Sequence, residues 1–264
     1  MLPTIAPFLF VVVTATLIVV GLMFLGVGFE GRECQSKGKQ AKPTWRPPLA
    51  TPNSLRHWAK ELAAAVARKN LDQHASPRAL VEELYAGSSL AMYRSDSDTH
   101  LRHQATLCRE HRYEAVGVTA PEALAIAEEI KSLPERQTRL IRKKAADNLI
   151  QVPDLTDPHV DTGLACPLLM NDGTCAVYAL RPLHCRTMCS ECGDHEIQPT
   201  TAATMLAIRQ GITEGLTAEL AAQGADDGVY ELNNALSLVL RTPDAAERWS
   251  CGEPVFDGCA SFEL

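Results

Sequence analysis

Aromatic side chains are scarce in this sequence: 3 Trp, 5 Tyr and 6 Phe make up 5% of its 264 residues. Basic surplus is missing too, since 25 Lys and Arg face 32 Asp and Glu, for a net charge of -7. Nucleic acid is therefore not an expected partner, because phosphates call for clustered cations and unpaired bases for stacking rings. No internal repeat is present, which excludes a solenoid or propeller. "GVGFEG" at residues 26–31 matches G-x-G-x-x-G, but no strand–turn–helix context surrounds it, so it does not read as a dinucleotide loop. No Ser/His/Asp arrangement sits in a recognised hydrolase motif.

Charge is absent altogether from the first 29 residues. Residues 8–27, "FLFVVVTATLIVVGLMFLGV", would span about 30 Å as a helix, the thickness of a bilayer's hydrocarbon core. A cleaved signal peptide would carry a positive n-region and a shorter apolar stretch, so residues 1–30 read as a transmembrane anchor. Arg32, Lys37, Lys39, Lys42 and Arg46 follow the span and no cation precedes it. The positive-inside rule then predicts a single-pass protein of the inner membrane with its C-terminal domain in the cytoplasm. A cytosolic domain keeps thiols reduced, which favours metal ligation over disulfides.

Residues 31–53 are rich in Lys, Gly and Pro and read as a linker. Residues 54–264 form the expected folded domain, mostly α. "SLRHWAKELAAAVARKN" has helical spacing with Asn53 or Ser54 as cap, and Ser76-Pro77 opens a second helix. "YEAVGVTAPEALAIAEEIKSL" predicts a short strand ending at Thr119, which caps a helix with Pro121 near its start. "PERQTRLIRKKAADNLI" is helical with a charged face, and "TTAATMLAIRQGITEGLTAELAAQ", "VYELNNALSLVLR" and "TPDAAERW" continue the pattern, the last with Thr242 as cap before Pro243.

Chemistry concentrates in "CPLLMNDGTCAVYALRPLHCRTMCSEC", residues 166–192, which hold five of the nine cysteines. Asp172-Gly173 between two apolar runs predicts a small β-hairpin in which Cys175 faces Met170. Cys185 follows Arg181-Pro182, where regular structure must break, and Cys189 and Cys192 come at short loop spacings. Thiolates brought from a hairpin and a following loop can build a tetrahedral zinc site; four thiolates also suit iron or an iron–sulfur cluster. Against this stands the packing of a plain thiol as a small buried hydrophobe, the reading taken for Cys34, Cys251 and Cys259. "CRTMCSEC" has the C-x3-C-x2-C spacing of radical S-adenosylmethionine enzymes, but the 72 residues after it are too few for their barrel. Upstream, Cys108 and His111 form a further ligand pair, whereas His100 and His103 read as solvated bystanders and His195 as a weaker candidate. Asp161, Asp172 and Glu191 are possible outer partners of the ligands.

"CPLLMNDGTCAVYALRPLHCR", with "VGVTAPEALAIAEEI" before it and "TPDAAERWSCGEPVF" after, resembles the bacterial YkgJ-like cysteine-cluster proteins of CxxCxxCC type. That zinc- or iron-chelating group is similar to flagellin lysine N-methylase. The shared core is Cys175, Tyr178, Arg181, Pro182, Cys185 and Arg186. At the family's C-x-x-C-C this chain has "CREHR": Cys108 keeps the first position, His111 the second and Arg112, which cannot ligate, the third. The resemblance implies zinc or iron on ligands drawn from Cys108, His111, Cys166, Cys175, Cys185, Cys189 and Cys192. The expectation is thus a membrane-anchored metal-binding protein whose protein partner is unspecified, with an iron or iron–sulfur enzyme of redox or methyl-transfer type as the alternative.

Overall fold

Pro52 and Pro77 each sit in the first turn of a helix, where a missing N–H costs nothing. The structure, a computed structural model, describes residues 51–92, 115–151, 164–188, 199–259 and 261–262. These belong to one compact unit running from Arg46 to Leu264. In chain order, α1 is Pro52–Asp72, α2 Pro77–Met92, β1 Gly117–Thr119, α3 Ala120–Ser132 and α4 Glu135–Gln151. A 3-10 turn at Tyr178–Leu180 precedes α5, Leu183–Met188; then come α6 Pro199–Ala222, β2 Val229–Glu231, α7 Leu232–Val239 and α8 Ala245–Ser250.

The longest helices, α1 and α6, pack nearly backbone to backbone. A Cβ at Gly211 would lie 2.2 Å from the Arg56 carbonyl, and one at Gly215 2.1 Å from that of Lys60. Only glycine permits that approach. Ala59, Ala63 and Ala67 are fully buried on α1. Arg56 pairs with Glu214 and Arg68 with Glu219, so the contacts climb both helices together and the pair runs parallel. Leu80 and Leu84 of α2, Ile126 and Ile130 of α3, Ile141 of α4 and Leu232 and Leu236 of α7 join the same apolar core.

Two strands form an antiparallel ribbon with Gly117 opposite Glu231, Val118 opposite Tyr230 and Thr119 opposite Val229. Each strand runs directly into a helix, β1 into α3 and β2 into α7. Phe262 N–H donates to the Val229 carbonyl at 2.7 Å, adding the chain's end to this ribbon.

Several expectations need correction. Among the described residues no helix is long and apolar enough to cross a membrane, and residues 8–27 lie outside them. The fold class is corrected to a mostly helical body with a two-stranded sheet, and the described residues supply no transmembrane helix for the expected inner-membrane anchor. "VYE" is strand rather than helix, because its three residues complete the ribbon before Glu231 caps α7. The first helix begins at Pro52 with Thr51 as cap, not Asn53 or Ser54, and the last is preceded by Asp244 rather than Thr242. Ser76 does cap α2, its Oγ accepting from Ala79 N–H at 3.2 Å.

Candidate functional site

The predicted cysteine hairpin reduces to a single antiparallel bridge between Leu169 and Cys175. Met170 N–H donates to the Thr174 carbonyl at 2.8 Å and Gly173 N–H to that of Met170 at 2.9 Å. The loop is therefore three residues long, Asn171, Asp172 and Gly173, with Gly173 left-handed at φ 81°. Asp172 Oδ1 accepts from both the N–H and the hydroxyl of Thr174, at 2.9 and 2.6 Å, which draws Thr174 into the turn. Compared with the expected two-residue turn, pairing slips by one residue. Cys175 consequently stands opposite Leu169 rather than Met170.

From the bridge the chain turns through the 3-10 segment to Pro182 and into α5. Arg186 fixes this reversal, its Nε donating to the Arg181 carbonyl at 2.9 Å and its Nη2 to that of Ala179. The Arg186 guanidinium lies over the Tyr85 ring at 4.2 Å, and that of Arg181, itself buried, over Tyr178 at 4.1 Å. Four residues of the Y-x-x-R-P-x-x-C-R core thus serve the shape of the loop.

Two buried carboxylates hold the segment from opposite sides. Glu122, 4% exposed, receives four donors. Tyr85 Oη and Leu183 N–H reach Oε1 at 2.6 and 2.8 Å. Thr119 N–H and Oγ1 reach Oε2, both at 2.9 Å. Leu183 opens α5, the helix that carries Cys185. Glu231, 1% exposed, caps α7 by accepting from Asn234 N–H at 2.9 Å and from Asn233 Nδ2 at 2.8 Å. Asn148 of α4 then donates to Asn233 Oδ1 at 3.0 Å and to the Ala165 carbonyl at 3.1 Å, one residue before Cys166. One turn earlier on α4, Lys144 Nζ donates to the Leu169 carbonyl at 2.5 Å.

His184 is buried beside the ribbon, its Nδ1 accepting from Gly117 N–H at 3.0 Å. That bond places the imidazole proton on Nε2. Burial, aided by the charge of Arg209, pulls its pKa down to about 3, so the ring is neutral. Tyr85 is pushed well above its ordinary range by burial and by Glu122. Cys259 is raised to about 11, first by burial and then by Asp226 and Glu231, and its Sγ lies 3.7 Å from Asn234 Oδ1. A thiol so protonated is a poor nucleophile. Cys251 is exposed.

Cys166, Cys175 and Cys185 are all half-buried and packed against the common core. Their chemistry suits zinc or iron. Their arrangement does not make a site: among the described residues no group of three or more His, Cys, Asp or Glu is placed to hold a metal ion. The expectation of a cysteine cluster is corrected to this extent: Cys166, Cys175 and Cys185, placed before the bridge, on it and in α5, do not form one by themselves. Cys108, His111, Cys189 and Cys192 lie outside the described residues, as do His195, Asp161 and Glu191.

The anchoring residues Glu122, Asn148 and His184 were not singled out from sequence. For Glu122 a signal exists, because Thr119-x-x-Glu122 is a capping box, and the reciprocal bonds are present. Asn148 and His184 offer none, as their partners lie 17 and 67 residues away. Comparison with known proteins finds no match among protein-family models, curated proteins or solved structures.

Proposed function

We propose that this chain captures a thiophilic transition-metal ion, zinc or iron, on thiolates drawn from Cys166, Cys175 and Cys185 together with further donors. The observation that carries the reading is their shared half-burial on a segment tied at both ends, through Leu183 to Glu122 and through Ala165 to Asn148. Such anchoring limits how far each sulfur can stray, so little ordering entropy is lost when one of them joins further donors on an ion. Further donors would have to complete the coordination, since the described residues do not do so. Binding would deprotonate the thiols and add its free energy to folding.

The test is to purify the full chain without oxygen, count its metals and record its visible spectrum. About one zinc or iron per chain is expected, with Cys185→Ser lowering metal content and Tm together. A brown protein containing iron and sulfide would move the reading to an iron–sulfur enzyme. Metal-free protein with an unchanged Tm in the variant would end it.

A further inference from the structure

The outer face of α4 is strongly basic in an otherwise acidic chain. Arg136, Arg139, Arg142 and Lys143 are all exposed, whereas the whole protein carries a net charge of -7. At 100° per residue, positions 136, 139, 142, 143, 146 and 150 fall on one side of the helix. Ala146 and Ile150 extend the row beyond the cations, and Ile150 is 80% exposed, the most exposed large hydrophobic side chain among the described residues. Two acids of the same helix lie on or beside this face, Glu135 at its head and Asp147 four residues beyond Lys143, which leaves the four cations in excess. Among the described residues the acid recorded within ion-pair distance of these four cations is Glu135, 3.5 Å from Arg139, and both side chains are more than two-thirds exposed. An ion pair of that kind contributes little and exchanges readily. The opposite side of the helix is fixed, with Ile141 and Ala145 in the core and Lys144 and Asn148 bonded to the cysteine segment.

We infer that this face docks an acidic segment of a partner protein, one that places carboxylates on Arg136, Arg139, Arg142 and Lys143 and an apolar side chain on Ile150. Complementary charge would guide the encounter and a single apolar contact would anchor it. A nucleic acid fits less well. The row rises only about 10 Å from Arg136 to Lys143, Glu135 stands at its head, and no aromatic ring lies along it. An anionic bilayer fits less well too, because one isoleucine is too small an apolar face for insertion. The inference stands whether or not the thiols hold metal, as α4 is positioned by its own buried side.

The test titrates the full chain into a fluorescein-labelled peptide of eight glutamates followed by one leucine, read by anisotropy. Polyuridylate and phosphatidylserine vesicles serve as competing probes. Saturable binding of the peptide is expected, weakened at least tenfold by R139E/K143E and by raising salt from 50 to 300 mM, and severalfold by I150D. Circular dichroism of each variant shows whether it retains the fold; if R139E/K143E unfolds, R139Q/K143Q takes its place. No peptide binding, equal binding by a folded variant, or tighter binding to polyuridylate or to vesicles would overturn the inference.

Discussion

The two strand–helix junctions solve one problem in two ways. At β1–α3 the carboxylate stands three residues inside the helix and reaches back to Thr119; at β2–α7 the carboxylate of Glu231 is itself the cap. Both satisfy N–H groups that the first helical turn leaves open. They differ in how they reach the cysteine segment. Glu122 grips it directly, through Leu183 N–H, while Glu231 acts through two amides, Asn233 and Asn148, before Ala165 is reached. A direct hub concentrates the cost of failure in one side chain, whereas a relay divides it among several.

The sharpest way to break the comparison is Glu122→Ala. It removes the shared acceptor of two backbone N–H groups and two hydroxyls in the core, and each group that finds no replacement costs about 1–3 kcal/mol. Some will find water, so a loss of about 4 kcal/mol is expected in urea unfolding. Glu122→Gln should be nearly as harmful, because its amide nitrogen would meet donors. A loss below about 1 kcal/mol would show that Glu122 is not the hub.

Acid should strike the same junction before the other. His184 must be neutral to accept the Gly117 N–H, and its folded pKa near 3 lies below the ordinary 6.5. The unfolded chain therefore binds the proton first as pH falls. Stability from this group is complete above about pH 6.5, declines as pH drops and is lost by about pH 3. At about 1.4 kcal/mol per decade, roughly 2–3 kcal/mol should be gone at pH 4.5. His184→Asn retains an acceptor without the titration and should flatten this acid limb, measured as urea midpoint against pH. An unchanged slope would remove His184 as its cause.

Much of the scaffold was legible in the sequence, and the reasons are local. Ser76-Pro77 and Thr119 are cap signals read within one turn of chain, and apolar spacing marks α1, α2, α3, α4 and α6. β2 escaped because three residues carry no measurable period and its partner strand lies more than 100 residues upstream. The slip of Cys175 escaped because Asp172-Gly173 fits two hairpin loops, and the Asp172–Thr174 bonds select the longer. The close approach of α1 and α6 rests on Gly211 and Gly215, whose spacing alone does not name the helix they meet. Site residues divide similarly. Cysteines declare their chemistry by type, but where each sulfur stands depends on Glu122, Asn148 and Arg186, polar groups whose partners are distant in sequence.

The relay side should yield least, and Asn148→Ala measures it. The change removes donors from Asn233 Oδ1 and from the Ala165 carbonyl. Asn233 retains its bond to Glu231, and the Ala165 carbonyl lies near a surface where water can replace the amide, so about 1–2 kcal/mol is expected. The informative readout is local. Amide exchange should quicken at Leu169 and Ala176, whose N–H groups bond within the cysteine segment, while Leu183, held by Glu122, stays protected. Equal loss of protection at all three would mean that the segment opens as one piece. The two carboxylates would then be parts of a single latch rather than separate anchors.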